Sequence, residues 1–77
     1  MNVKSIREIC EERPFRPFTV HLADGRNIPV AHPEMVLYPP SGQEVIIYQP
    51  DDSFDFIDVF QITSLKLRKK SPSKSQK

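Results

Sequence analysis

Eight prolines spread over 77 residues constrain this chain more than any other feature. Proline lacks a backbone N–H group, and it disfavours the helical conformation in the residue that precedes it. Pro14, Pro29, Pro33 and the Pro39-Pro40 pair therefore interrupt the chain at short intervals. This spacing predicts short strands separated by turns, with one helix ahead of the first interruption.

Length and cysteine content limit the class of protein. A chain of 77 residues forms one small domain and buries only about 60% of the surface that its unfolded form exposes, so a partner subunit would help to stabilise it. The single cysteine, Cys10, cannot form an internal disulfide, which favours a reducing compartment. No apolar stretch approaches the roughly 20 residues that cross a bilayer. We therefore expect a cytoplasmic protein without a membrane-spanning segment.

The formal net charge of +1 combines two unlike parts. Residues 1–65 contain five basic and ten acidic side chains, which gives −5, whereas residues 66–77 contain six basic and no acidic side chains, which gives +6. Residues 69–77 also have no apolar side chain whose burial could offset the entropy of ordering. We predict a folded domain at residues 1–67 and a disordered basic tail at residues 68–77.

The N-terminal segment has the periodicity of a short amphipathic helix. Four apolar side chains gather on one side of it, and these are Val3, Ile6, Ile9 and Cys10. The N-terminal cap is either Ser5, paired with Glu8 in a capping box, or Asn2. Pro14 ends the helix.

Strand signals begin at residue 18. Apolar and polar residues alternate over residues 18–22, and Asp24-Gly25 is a strong hairpin signal whose positive backbone angles suit a tight turn. Pro29 indicates that the return strand lies at a sheet edge or contains a bulge. Residues 45–48 are apolar at every position, which favours a central strand or one that is covered on both faces.

The segment at residues 54–67 changes phase. Its apolar residues occupy both parities, and one straight strand cannot bury both sets on one side. A helical turn near residues 58–61, followed by a fifth strand at residues 62–67, resolves the conflict. With a short third strand at residues 35–38, the pattern predicts an α+β, mainly β domain, in which a short helix precedes a strongly bent, five-stranded antiparallel sheet that closes into a small barrel.

The order of these elements resembles the Sm-like barrels, including the bacterial Sm-like RNA chaperones, and it shares much with SH3-like barrels. Residues 18–26 (FTVHLADGR) are similar to the first Sm hairpin, and residues 57–65 (IDVFQITSL) to its closing turn and strand. The resemblance implies strand pairing between subunits and RNA binding. RNA-binding Sm proteins have Tyr-Lys-His before the closing turn, whereas this chain has Phe56-Ile57-Asp58, and an acidic residue there repels phosphate.

A second resemblance is to short bacterial proteins without an established activity. They share the pattern RPFxPF, LxDGR, HPE and ID, which occurs at residues 13–18, 22–26, 32–34 and 57–58 of this chain. This resemblance implies no activity.

The chain contains residues that could bind a metal or act as nucleophiles, but their spacing does not match a known metal site or catalytic site. Zinc needs three or four ligands at workable spacing, which Cys10, His21 and His32 do not provide. The aspartates of residues 51–58 lack the glycine and the terminal glutamate of an EF-hand loop. Both glycines belong to predicted turns, so no glycine-rich loop remains to bind phosphate. We predict that the protein is not an enzyme and has no catalytic residue, cofactor, metal or small-molecule substrate.

The first functional hypothesis is a non-enzymatic binding or assembly module that self-associates. Small size and the doubly apolar strand at residues 45–48 favour pairing of strand edges between copies. The predicted residues of this oligomer edge are Val45, Ile47, Phe54 and Phe56.

Two alternatives involve other partners. An Sm-like RNA-binding protein would contact phosphates through its basic C-terminal arm. The predicted nucleic-acid contacts are Lys66, Arg68, Lys69 and Lys70. A protein-interaction adaptor would dock through residues 13–18, and its predicted partner contacts are Arg13, Phe15 and Arg16.

Overall fold

The computed structural model describes residues 1–69. The helix α1 spans Val3–Glu11. The strands are β1 (Phe18–Leu22), β2 (Asn27–Val30), β3 (Val36–Leu37), β4 (Glu44–Tyr48), β5 (Phe54–Asp58) and β6 (Ile62–Leu67), with single 3₁₀ turns at Pro33–Met35 and Val59–Gln61. They form two three-stranded antiparallel sheets, in the orders β2-β1-β6 and β3-β4-β5.

Asn2 caps the helix. Its side-chain oxygen accepts a hydrogen bond from the backbone N–H of Ser5 at 2.8 Å, which satisfies one of the free donors of the first turn. Because Ser5 itself lies inside α1, the alternative cap at Ser5 is wrong. The helix ends at Glu11, ahead of Pro14 as predicted, and it buries Ile6 and Cys10.

The β1–β2 hairpin uses a longer loop than a two-residue turn. The Gly25 N–H donates to the Leu22 carbonyl at 3.0 Å, and the Leu22 N–H donates to the Arg26 carbonyl at 2.9 Å. Gly25 has a φ of +94°, but Asp24 lies outside the left-handed region, so only the glycine needs its conformational freedom. Pro29 lies on β2, an edge strand of its sheet, as predicted.

One hydrophobic core lies between the two sheets and α1. Its 13 buried residues are all apolar, and no polar or charged residue in the described part of the chain is buried. Alternate side chains of a strand point towards this core, so that Val45 and Ile47 of β4 point inward while Ile46 and Tyr48 point outward. The exception is β6, whose register shift against β1 breaks the alternation after Ile62. The strand β4 is central, as predicted, but its outer face is only partly covered.

The predicted α+β, mainly β domain with an N-terminal helix is confirmed, whereas the predicted closure of five strands into one bent sheet is not, because the strands form two sheets. Residues 54–58 form a separate strand, β5, and the 3₁₀ turn that begins at Pro33 divides the predicted second and third strands between the two sheets. Pro33 has no N–H to donate to a ladder, so the pairing of β2 does not continue into β3. The two sheets do not form a closed barrel. The helical turn near residues 58–61 is confirmed at Val59–Gln61, where the Asp58 carboxylate accepts from the Phe60 N–H at 2.9 Å.

Neighbouring isoleucines of β4 test the assignment of its two faces. Ile47 is only 1% exposed, and removing one methyl group from such a site costs about 1 kcal/mol. We expect Ile47→Val to lower the free energy of unfolding in urea by about that amount. The matched control Ile46→Val, on the outward face, should lower it by less than half as much at low protein concentration. Equal losses from the two variants would contradict the assignment.

Candidate interaction surfaces

Three aromatic rings lie together on the outer side of the β4–β5 pair, and we call Tyr48, Phe54 and Phe56 the aromatic face. The Tyr48 and Phe54 ring centroids are 5.3 Å apart, and those of Phe54 and Phe56 are 5.4 Å apart. These residues are 39%, 50% and 61% exposed, respectively. Ile46 and Leu37, which pair across β4 and β3, extend the apolar surface.

Carboxylates lie at both ends of the aromatic face. Glu44 and Asp58 are cross-strand partners at one end, and Asp51 and Asp52 lie in the β4–β5 turn at the other. Hydrogen bonds from the Ser53 hydroxyl and N–H lower the pKa of Asp51, because they stabilise its charged form. The strands β3, β4 and β5 contain no lysine or arginine. The surface is therefore apolar at its centre and acidic at its ends.

Two of the four residues of the predicted oligomer edge are exposed, and the other two are buried. Val45 and Ile47 are each 1% exposed and belong to the core, so they cannot contact another copy. Phe54 and Phe56 are exposed on β5, which pairs with β4 alone and is an edge strand. Tyr48 was not among the predicted residues, because an all-apolar run at residues 45–48 does not show which parity faces outward.

A second surface is a shallow groove of about 520 Å³ across the ends of β1, β2 and β6. Pro17, Thr19 and Pro29 contribute to its lining. Its cationic side chains and its histidine are Lys66, Arg68, Lys69 and His32, and we call these four residues the basic groove. No acidic side chain lines the groove. The structure thus brings together three of the four predicted nucleic-acid contacts, while Lys70 lies outside the described residues.

The predicted partner contacts at residues 13–18 are engaged within the chain. The Arg13 guanidinium donates to the Cys10 carbonyl at 2.9 Å and to the Glu12 carbonyl at 2.7 Å, at the end of α1. Arg16 forms an ion pair with Glu12 at 3.5 Å. The half-buried Phe15 ring packs edge-on against Phe18, with centroids 6.1 Å apart. This segment joins the helix to the first strand.

The remaining candidate ligands are dispersed. His21 lies on the outer face of β1, with its Nδ1 2.7 Å from Oδ1 of Asn27, and His32 precedes the first 3₁₀ turn. Within residues 1–69, no group of three or more His, Cys, Asp or Glu side chains is placed to hold a metal ion. The same residues include no helix long and apolar enough to cross a membrane.

A cluster of the exposed Arg7, the buried Cys10 and the half-buried Tyr38 joins α1 to the segment after β3. The Arg7 guanidinium lies 4.5 Å from the centre of the Tyr38 ring. The Tyr38 hydroxyl is buried and has no hydrogen-bond partner among the described residues. The neighbouring Cys10 thiol is only a weak donor and acceptor, and it does not form a hydrogen bond with this hydroxyl. Burial raises the pKa of the Cys10 thiol. The pKa of Tyr38 is also raised, mainly by burial and to a lesser extent by the adjacent Cys10.

Comparison with protein-family models, curated proteins and solved structures finds no match for this chain. The resemblances to Sm-like barrels and to the short bacterial proteins therefore stay expectations from sequence. The aromatic face and the basic groove are the features from which a function can be inferred.

Alkaline unfolding tests whether the Cys10 thiol and the Tyr38 hydroxyl are protected in the folded state. The folded state holds the Cys10 and Tyr38 protons more tightly than the unfolded state, whose groups ionise near 9.0 and 10.0. The stability that these protons contribute is complete below those values and is lost as the pH rises. We expect the free energy of unfolding to fall above about pH 9.

The variant Tyr38→Phe isolates the tyrosine contribution. It removes the unpartnered hydroxyl and keeps the ring, so it should leave stability at pH 7 unchanged or slightly higher and flatten the decline above pH 10. The matched control Tyr48→Phe removes an exposed hydroxyl and should keep the wild-type decline. Urea unfolding between pH 7 and 11 measures both, and an unaltered decline in Tyr38→Phe would show that its hydroxyl is not protected in the fold.

Proposed function

We propose that this protein is a non-enzymatic assembly module whose copies associate through the aromatic face. The observation that carries the proposal is the set of three contacting rings, 39–61% exposed, on β5 and its neighbour β4. Contiguous exposed apolar patches on soluble proteins mark interaction sites or grooves. The single buried cysteine supports a cytoplasmic location for this module.

Free strand edges supply a second kind of contact. Both β5 and β6 pair on one side only, so each presents a row of backbone donors and acceptors to another chain. The helix, the strand order and the 3₁₀ turn between β5 and β6 also support a finer proposal, in which the two sheets are halves of an Sm-like or SH3-like small barrel. Such a barrel would suit assembly by strand pairing.

Burial of the three aromatic rings is not sufficient by itself to offset the free-energy cost of association. Burying the exposed half of an aromatic side chain contributes about 1 kcal/mol, so three rings contribute about 3 kcal/mol per copy. Association costs about 4–15 kcal/mol in lost translation and rotation. Strand pairing or charge pairing must therefore contribute beside the aromatic face.

The variant Phe56→Ser tests self-association. Phe56 is 61% exposed, so its removal should leave the monomer folded while it weakens the interface about tenfold or more. Light scattering over micromolar concentrations should show multiples of the 8.9 kDa chain for the wild type and a shift towards one chain for Phe56→Ser.

Phe60→Ser is the matched control. Phe60 is 78% exposed and makes no ring contact with the aromatic face in the described structure, so its removal should leave the mass unchanged. A wild-type protein that stays at the mass of one chain at every concentration would refute the proposal. So would equal weakening by the two substitutions.

A second candidate function is RNA binding, because the basic groove brings three cations together without an acidic neighbour in its lining. Lys66, Arg68 and Lys69 would contact phosphates, and the basic residues beyond them would extend the contact. The adaptor hypothesis has no comparable support, since Arg13 and Arg16 are engaged within the chain.

Neutralising the groove tests RNA binding. Removing one cation that binds a phosphate of single-stranded RNA lowers the slope of log affinity against log salt by about 0.7, so Lys66→Gln with Arg68→Gln should lower it by about 1.4. The control is Lys4→Gln, at an exposed lysine of α1 that lies outside the groove. Filter binding of a labelled RNA oligonucleotide at several salt concentrations gives the slopes. Equal slopes for the two variants would exclude the groove.

A further inference from the structure

We infer that the aromatic face receives the basic C-terminal segment, residues 68–77, of a second copy. The inference rests on the proposed self-association, in which the aromatic face of one copy would contact residues 68–77 of another. Its basis is the carboxylates around the aromatic face together with the cations that the same chain has after β6.

Face-to-face pairing of two aromatic faces is electrostatically unfavourable. Each copy would bring Glu44 and Asp58 at one end and Asp51 and Asp52 at the other, so that carboxylates from both copies would share one interface. Like charges opposed across an interface cost several kcal/mol when they are desolvated. No lysine or arginine on β3, β4 or β5 offsets them. The surface therefore fits a partner that is positively charged and carries methylene groups.

The C-terminal segment has that chemistry. Residues 68–77 contain five basic side chains and no acidic one. Lysine and arginine lay their apolar stems along hydrophobic surface while the cationic head reaches a carboxylate or the face of a ring. The chain already contains one such contact, the Arg7 guanidinium 4.5 Å from the centre of the Tyr38 ring.

The dimensions of the two surfaces agree. The eight residues 70–77 reach up to about 26 Å when extended. The aromatic face follows β5, a strand of five residues that measures about 17 Å. The segment is long enough to lie along the whole face and to meet carboxylates at both ends.

The proposed self-association is what selects a second copy, rather than the same chain, as the source of the segment. Lys69 lines the basic groove, at the ends of β1, β2 and β6, whereas the aromatic face lies on the outer side of the other sheet. The two sheets turn their inner faces to one core, so their outer faces point away from each other. One end of the aromatic face is nevertheless close to the groove, because the side chain of Gln49, the residue after Tyr48, donates to the Pro29 carbonyl at 3.3 Å. Docking within one chain would leave the wild type at the mass of one chain, which the experiment below measures.

This contact joins two different surfaces, the segment of one copy and the aromatic face of another. Reciprocal exchange between two copies closes as a two-fold dimer, and otherwise repetition closes into a larger ring or continues as a filament, depending on the rotation. It is also ionic at both ends, so it should weaken as salt screens the charges, unlike a purely apolar contact.

Mixing two defective full-length variants tests the inference. The face variant, Phe56→Ser, keeps the basic segment. The segment variant keeps the aromatic face and replaces its five cations by glutamine, and these positions are Arg68, Lys69, Lys70, Lys74 and Lys77. We expect each variant alone to have the mass of one chain, and the mixture to form a one-to-one complex of about twice the 8.9 kDa chain.

Light scattering and sedimentation distinguish the outcomes. Complex formation in the mixture at low salt and its disappearance at high salt would support the inference. A segment variant that still self-associates like the wild type would overturn the inference and leave the proposed self-association intact. A wild type that stays at the mass of one chain would overturn both. Two variants that fail to combine, although the wild type associates, would overturn the inference alone.

Discussion

Burial of one side of every strand in a single shared core is the constraint on which the structure depends. The described chain has enough apolar residues for one core, to which α1 and both sheets contribute. Within residues 1–69, no element forms a third layer over β3, β4 and β5. The outer side of this sheet is consequently the place where Tyr48, Phe54 and Phe56 are exposed.

Much of this fold could be predicted from local patterns. Apolar spacing located α1, alternation located β1, and the phase change after residue 54 located the 3₁₀ turn at Val59–Gln61. Each of these features depends on neighbours in sequence. The division between β2 and β3 was missed because a proline indicates only a missing donor, and only the folded chain shows which sheet each flanking segment joins.

The candidate surfaces were harder to predict for a related reason. Residues 45–48 are apolar at every position, so the pattern does not show which parity faces the core. The choice of Val45 and Ile47 as oligomer contacts therefore selected the buried pair, whereas Tyr48 was the exposed member. The basic residues of the groove were easier to predict, because they are close together in the sequence. That they lie in one groove with His32 and Pro29 could not be predicted, because it depends on the pairing of β1 with both β2 and β6.

Charge separation links the two surfaces. The ion pairs within the described chain are solvent-exposed or partly so, and pairs of this kind contribute little to stability. The net charges of −5 on residues 1–65 and +6 on residues 66–77 therefore affect contacts between molecules more than they affect the stability of one molecule. Arg68 and Lys69 belong both to the basic groove and to the segment inferred to reach a second copy, so a phosphate chain and an aromatic face would compete for them. If both proposals hold, thermodynamic linkage requires that RNA in the groove would weaken assembly by the same factor by which assembly would weaken RNA binding.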